Sequence, residues 1–355
     1  MPVSDETAAW LALLGDAQAN RRERKDLLKR VCLDHGERLC DLLDDPSRQD
    51  DLDLSASLRD ALSQSNRRVE TQRQRLDSLE NQGIELLRRD APAYPDSLTG
   101  RLGENWLPYI LYYQGNLTLT TEPAIAVLGS STPAPEALGL AQELGHSLSS
   151  HDRVLTSHFG PGIARACAQS MLGTSGQAVV ILPLGIERFA GRERGLGDKL
   201  TSGNLLLVSP YAPEQPATQS LALASELLVA ANAETIILID PDFVPDERQW
   251  SQHLATWGTA CWIWQGSRMP YRSAWLAHGA QPFGDLSEID GSDGQLPATA
   301  SRSGEDPPPG ETLQADEPFA SASAALDALG LGGAVPEVLA RRIRQQYGAA
   351  DPEEQ

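Results

Sequence analysis

The sequence predicts an α/β fold with a doubly wound, mainly parallel sheet. Between residues 122 and 284, short apolar runs rich in β-branched residues alternate with segments of helical periodicity. The predicted strands are 124–129, 153–157, 177–185, 204–210, 235–240 and 260–266. The predicted helices are 135–149, 162–173, 193–201, 217–232 and 247–257. Continuously apolar strands are buried on both faces, which is typical of a parallel sheet covered by helices.

The regions outside this alternation predict a multidomain chain. Residues 1–83 form an N-terminal helical domain with short amphipathic helices, in which Gly36 and Gly83 are stop signals. A connecting segment rich in Pro and Tyr, 84–121, leads into the α/β domain at 122–284. Residues 285–318 are a disordered acidic linker, and 319–355 a short helical tail too small for a core of its own.

The composition indicates a cytoplasmic protein. The chain has 355 residues and 41% hydrophobic residues, with no apolar run long enough for a membrane span and no secretory signal pattern at its start. Its four cysteines lack C-x-x-C spacing and are interpreted as reduced thiols. The six histidines are scattered, so no metal site and no cofactor are expected.

The net charge of −20 argues against bulk attraction to nucleic acid or anionic membrane. Residues 285–317 carry a net −8, so the remainder is still at −12. A basic groove would therefore act against the overall field. Arginines on the N-terminal helices are interpreted as solvated helix surface; they are Arg21, Arg22, Arg24, Arg67 and Arg68.

Two turns at the carboxyl ends of predicted strands are candidate phosphate sites. The first carries Gly129, Ser130 and Ser131. It is neither a G-x-G-x-x-G nor a Walker loop, but its backbone amides at a helix start suit a phosphate. Its alternative interpretation is a purely structural strand–helix turn.

The second turn carries Ser157, Gly160 and Gly162 before another helix start. Because the carboxyl ends of parallel strands share one edge of a sheet, the two turns are expected to form one amide-rich rim.

Two further groups of residues are candidate sites. The carboxylates after the fifth strand, Asp240, Asp242, Asp246 and Glu247, suit a cation or acid–base chemistry, but a capped loop with first-turn acids explains them better. Strand alternation places Trp262 and Trp264 on one face, which favours packing over base stacking. A hydrolase has no positive motif, since no G-x-S-x-G elbow is present.

The order of several short motifs resembles the DprA/Smf DNA-processing family, over about residues 7–290. That family shows Tyr-Pro-x-x-Leu, Pro-x-x-Leu-Tyr-x-x-Gly-Asn, a Val-Gly-Ser-Arg turn, a Ser-Gly-x-Ala-x-Gly-Ile-Asp turn and a later Gly-Ala. The matching residues are Tyr94, Pro95, Leu98, Pro108, Leu111, Tyr112, Gly115, Asn116, Gly129, Ser130, Ser157, Gly162, Ile163, Leu182, Gly185, Gly279 and Ala280. The resemblance implies a Rossmann-like central domain, a SAM-like N-terminal domain and the absence of catalysis.

The chain departs from the family pattern at its charged and glycine ligands. Ser131 stands where the family has arginine, His158 replaces a glycine and Ala164 an aspartate. The family's Arg-Asn-Arg helix start aligns, within about one residue, with Ser225-Glu226. Further changes are Cys167-Ala168 for Ala-His, Ser209-Pro210 for Ser-Glu, and 241–250 for a Ser-Gly-Ser turn.

The resemblance implies single-stranded DNA binding, cooperation with a RecA-type recombinase in natural transformation or recombination, and homodimerisation through the central domain. Loss of bidentate, charge-assisted arginine contacts predicts weakened DNA binding. The alternative is a nucleotide-sensing or protein-interaction scaffold that no longer binds DNA.

Overall fold

The computed structural model describes residues 5–16, 19–151, 153–190, 196–245 and 250–290. Its N-terminal part is helical. The helices are α1 (Asp5–Leu14), α2 (Arg21–Leu28), α3 (Leu39–Asp44) and α4 (Ala56–Glu80), with a π-helical turn at Lys29–Asp34 and a 3-10 turn at Pro46–Gln49. Trp10, Leu13 and Leu62 are completely buried where α1 packs on α4.

A buried carboxylate joins α1 to α3. Glu6 is 4% exposed, and its Oε1 accepts hydrogen bonds from the indole of Trp10 and the backbone N–H of Leu39, both at 2.8 Å. Its Oε2 accepts from the backbone N–H of Cys40 at 3.0 Å. The carboxylate therefore satisfies the first amides of α3, which is the favourable end of the helix for a negative charge.

The rest of the described chain is built on a nine-stranded sheet. Its strands are β1 (Glu85–Arg88), β2 (Ile110–Gly115), β3 (Ala124–Gly129), β4 (Val154–Ser157), β5 (Gln177–Ile181), β6 (Leu205–Ser209), β7 (Thr235–Ile239), β8 (Ala260–Trp264) and β9 (Gln281–Phe283). They lie in the order β1-β2-β6-β5-β4-β3-β7-β8-β9. In this spatial order, the seven neighbouring strands that begin with β6 and end with β9 are parallel. Strand β2 pairs antiparallel with both β1 and β6.

Helices cover both faces of the sheet. They are α5 (Asp96–Arg101), α6 (Pro135–Ser149), α7 (Ile163–Gly173), α8 (Ile186–Ala190), α9 (Gly197–Thr201), α10 (Gln219–Ala231), α11 (Trp250–Trp257), α12 (Tyr271–Ala277) and α13 (Ser287–Asp290), with a 3-10 turn at Leu117–Thr121. One apolar cluster joins α6, α7 and the N-terminal helices on one face. A second cluster joins α5, α10 and the aromatic group Phe243, Trp250 and Trp275 on the other. This two-layer covering confirms the predicted Rossmann-like α/β class.

Each of the six predicted strands is present, and three more were missed. β1 and β2 arise from the segment interpreted as a connection, 84–121, where Pro and Tyr obscured two short runs. β9 is three residues long and contains Pro282, which suits an edge strand because proline donates no ladder hydrogen bond. Residues 193–195 and 247–249 of two predicted helices lie outside the described residues; α9 and α11 supply the remainder.

Most of the predicted acidic linker and all of the helical tail also lie outside the described residues. The domain boundaries at 83/84, 121/122, 284/285 and 318/319 stay predictions. Among the described helices, none is both long and apolar enough to cross a membrane.

Candidate functional site

The strand order creates a crevice between β3 and β7. From β3 the chain proceeds to β4, β5 and β6 on one side, and then returns to place β7 on the other side of β3. Open α/β sheets bind ligands at such a switch point, outside the carboxyl ends of the strands. The register pairs Gly129 with Ile239, so Ser130 and Asp240 follow their strands at the same level of this edge.

The turn after β3 is held by its own polar atoms. Ser130 is completely buried, and its Oγ accepts a hydrogen bond from the Thr132 N–H at 3.0 Å. Ser131 follows on the exposed surface. The next helix, α6, has Pro135 in its first turn, and Ala134 offers no side chain to cap its amides. This turn therefore leads into the positive end of α6, whose first-turn backbone N–H groups have no side-chain cap.

The turn after β4 touches the turn after β3 through the main chain. Gly162 has a φ of 79°, and the Ser130 carbonyl accepts a hydrogen bond from the Ile163 N–H at 3.1 Å. A Cβ atom on Gly162 would lie 2.2 Å from that carbonyl oxygen. Only glycine fits there, so the structure brings Gly129, Ser130, Ser131 and Gly162 together along one continuous rim.

The other two candidate residues lie beneath the rim. Ser157 is completely buried; its Oγ accepts from the Phe159 N–H at 3.1 Å and lies 3.4 Å from the Ala164 carbonyl. Gly160 is buried as well, and a Cβ atom on it would lie 2.4 Å from the His158 ring. Both residues shape the turn rather than present side-chain donors to the crevice.

One cation at the crevice was missed by the sequence analysis. Arg268 follows β8, and its Nε donates to Asp240 Oδ1 at 2.8 Å while its Nη2 donates to Ser130 Oγ at 3.2 Å. The hydrogen bond to Asp240 raises the pKa of the Arg268 guanidinium. No local signal marks Arg268, because it lies 138 residues from Ser130 and only the strand order joins them.

A second cation lies beside the turn after β4. The Arg165 guanidinium stands 5.0 Å from the centre of the Phe159 ring, and its Nη2 donates to the Phe159 carbonyl at 3.4 Å. Phe159 has a φ of 54° and packs edge-on against Phe189. Arg165 therefore stabilises the turn after β4 through its contacts with the ring and the carbonyl of Phe159.

The comparisons with known proteins agree with this architecture. A model of the family "DNA recombination-mediator protein A" matches residues 85–242, which include both turns. DNA processing protein DprA of Streptococcus pneumoniae is 29% identical over 111 residues, 31% of this chain and 39% of that protein. The chain is thus similar to the DprA/Smf family over the sheet residues 85–242. The alignment thus spans well under half of that curated relative.

A solved DprA structure has the same fold. The X-ray structure of DprA from Streptococcus pneumoniae superposes with a TM-score of 0.53 at 14% identity, covering 82% of this chain and 99% of that one. DNA processing protein A from Helicobacter pylori, studied for its single-stranded DNA binding mode, gives a TM-score of 0.46 at 18% identity, covering 59% and 94%.

Ser225 of α10 lies where the sequence analysis predicts the counterpart of the family's Arg-Asn-Arg motif, within about one residue. Ser225 is completely buried. Its hydroxyl donates to the Leu182 carbonyl at 3.0 Å and lies 3.2 Å from the Tyr211 hydroxyl. Ser225 therefore ties α10 to the end of β5 and does not itself face the solvent.

The remaining candidate residues are the carboxylates after β7 and the two tryptophans of β8. Asp240 forms the ion pair with Arg268, a role that neither interpretation of its carboxylate foresaw, and Asp246 and Glu247 lie outside the described residues. Trp262 and Trp264 contact the same apolar cluster, in agreement with the packing interpretation. In the part of the chain that the structure describes, no three His, Cys, Asp or Glu residues could hold a metal ion.

Proposed function

We propose that this DNA-processing protein binds single-stranded DNA at the crevice rim, with weakened affinity, and delivers it to a RecA-type recombinase in the cytoplasm. It acts as a binding protein rather than an enzyme. The rim comprises Gly129, Ser130, Ser131 and Gly162, with Ser157 and Gly160 supporting it from below.

The main-chain contact between Gly162 and the Ser130 carbonyl carries this proposal. It joins two turns and two helix N-termini into one surface, and such a surface can bind a backbone phosphate without any side chain. Similarity to the DprA/Smf family supports the ligand class, since the fold alone would fit many phosphates.

Weak affinity follows from charge. A serine at 131 offers one hydroxyl where an arginine would offer a charged, bidentate donor. Each phosphate neutralised on a single strand contributes about 0.7 to the salt slope of binding, so the missing cation lowers both affinity and slope. The net charge of −20 opposes DNA in addition.

Fluorescence anisotropy of a labelled oligothymidylate across a potassium chloride series tests the proposal, with Streptococcus pneumoniae DprA as the comparator. We expect saturable binding at low salt that is at least tenfold weaker than that of the comparator. Absence of saturable binding at low salt contradicts the DNA-binding role. Sub-micromolar binding at physiological salt with a steep slope contradicts the weakened rim.

The proposed partner and assembly have separate tests. RecA delivery predicts that the protein shortens the lag of RecA filament formation on single strands coated with single-strand-binding protein. A homodimer predicts twice the chain mass in light scattering. The lag time tests the recombinase role and the measured mass tests the assembly, so either proposal can fail while the other holds.

A nucleotide-binding or protein-interaction scaffold remains the second candidate. The observation that favours it is the Asp240 carboxylate, which is 2% exposed and neutralises the cation at the crevice. A thermal shift with mononucleotides but no oligonucleotide binding would favour this candidate over DNA processing.

A further inference from the structure

We propose that Arg268 is the phosphate-binding cation of the crevice and takes over the task of the arginine missing at position 131. The inference rests on the proposed function, because it names the side chain that grips the phosphate at that same rim. Arg268 lies in the loop after β8, outside the residues that match the family motifs.

Arg268 reaches the rim from the far side of the switch point. Its backbone N–H and its Nε both donate to Asp240 Oδ1, at 3.2 and 2.8 Å. Its Nη2 donates to Ser130 Oγ at 3.2 Å, across β7. Ser130 directly precedes Ser131, so the guanidinium lies beside the turn from which the family arginine would project.

The two contacts leave donors available. A guanidinium carries five N–H groups, of which Asp240 and Ser130 take one each. The side chain is 49% exposed, so the remaining face is open to solvent at the crevice. Planar, paired N–H groups match two oxygens of one phosphate, which is the geometry in which arginine surpasses lysine.

The same contacts fix the guanidinium before any ligand arrives. An arginine free in solvent loses rotamer entropy when it grips a phosphate, whereas one already held by two hydrogen bonds loses less. Asp240 itself is held by its backbone N–H, which donates to Ser267 Oγ at 3.0 Å. The pair is therefore built into the rim and is not a swinging surface contact.

Asp240 limits the strength of the grip. Its carboxylate cancels the charge of Arg268 and, at 2% exposure, keeps one oxygen, Oδ2, without a hydrogen-bond partner among the described residues. An isolated structural ion pair predicts that losing either partner merely destabilises the protein. A phosphate-binding arginine restrained by an aspartate predicts opposite effects on binding, and this difference separates the two interpretations.

Three variants exploit that difference. Arg268→Ala removes the donor. Asp240→Asn releases the charge of Arg268 and keeps a residue type that tolerates the φ of 47° found there. Arg272→Ala is the matched control, because Arg272 lies four residues away and donates to the Gln265 carbonyl instead of to the rim.

Binding of a fluorescein-labelled oligothymidylate is measured for each variant from 50 to 200 mM potassium chloride, after circular dichroism and thermal unfolding establish the fold. We expect Arg268→Ala to weaken binding at least fivefold and Asp240→Asn to tighten it, with a salt slope steeper by about 0.7. Arg272→Ala should stay within twofold of wild type. Arg268→Lys, which keeps the charge without the fork, replaces the alanine variant if that variant fails to fold, and should still bind more weakly than wild type.

The outcomes are distinguishable from failure of the proposed function. If the wild type binds the oligonucleotide and Arg268→Ala binds equally well, or loses no more than Arg272→Ala, the inference is wrong and DNA binding stands. If the wild type does not bind the oligonucleotide, the DNA role fails, and thermal shifts with ATP and with pyrophosphate decide whether Arg268 grips a free nucleotide's phosphate. A thermal shift that the wild type shows and Arg268→Ala lacks supports the phosphate-binding role of Arg268. Absence of a thermal shift in the wild type overturns that role.

Discussion

The carbonyl oxygen of Ser130 occupies the space that a side chain on Gly162 would need, 2.2 Å from its Cβ position. Gly162 precedes α7 and Ser130 follows β3, so this contact locks two βα turns together. A backbone carbonyl cannot swing aside as a long side chain can. The contact therefore fixes the outline of the crevice rim.

Gly162→Ala is expected to destabilise the protein by about 2–4 kcal/mol, because it combines a left-handed φ with a main-chain clash. Chemical denaturation monitored by circular dichroism measures the loss. Gly139→Ala is the control: apart from its own turn of α6, no atom of the described residues lies within 4 Å of its Cβ position, so alanine should stabilise by about 0.5–1 kcal/mol. Equal stability of the two variants would contradict the locked rim.

Ser131→Arg should increase affinity for single-stranded DNA. Ser131 is exposed, so the longer side chain meets solvent rather than the core, and stability should change by no more than about 0.5 kcal/mol. One added phosphate contact steepens the salt slope by about 0.7. Anisotropy titrations at several salt concentrations measure both quantities, and an unchanged slope would show that the arginine finds no phosphate there.

Ser225→Arg should behave in the opposite way. Its hydroxyl is completely buried against Leu182 and Tyr211, so an arginine there buries a charge without a partner and should cost more than about 3 kcal/mol. Ser225→Ala, which removes only the hydrogen bonds, should cost about 1 kcal/mol. Thermal unfolding of both variants tests this, and a well-folded Ser225→Arg with higher DNA affinity would argue against the buried placement.

Glu6→Ala should destabilise the N-terminal helices by about 3–5 kcal/mol, since it strips acceptors from three buried N–H donors. Glu37, whose carboxylate pairs with Arg48 at the surface, is the control and should cost no more than about 1 kcal/mol when changed to alanine. Urea unfolding followed by tryptophan fluorescence suits the test, because Trp10 itself donates to Glu6. A loss below 1 kcal/mol for Glu6→Ala would mean that water replaces the carboxylate.

The four cysteines should resist thiol reagents at pH 8 until the chain unfolds. All four are buried, and burial raises the pKa of Cys32, Cys40, Cys167 and Cys261 to about 12. The thiolate is the reactive form, so labelling should be complete in guanidinium chloride and absent in native buffer. Because the folded-state pKa values are raised, the stability that the thiols contribute is fully present below pH of about 8.5 and is lost towards pH 12. Rapid native labelling of any of them would contradict its burial.

The sequence sufficed for the central sheet because buried parallel strands are continuous apolar runs, as in β3 and β7. It failed for β1 and β9, whose four and three residues carry too little pattern to be separated from loops. It also failed for the six-residue β2, which lies in a segment rich in Pro and Tyr. It also predicted glycine-bearing turns at one edge, because parallel strands align their carboxyl ends. Arg268 could not be found in this way, since its role depends on β8 lying beside β7, a matter of strand order rather than local pattern.

The main-chain contact at Gly162 has a wider consequence for this surface. Because the shape of the rim is set by main-chain atoms, it does not depend on which side chains the rim carries. Side chains from different strands meet at this rim, as Ser131 after β3 and Arg268 after β8 do, so a change of charge at either position requires no change of the backbone. Single side-chain substitutions at this rim can therefore change the ligand preference while the backbone keeps its conformation.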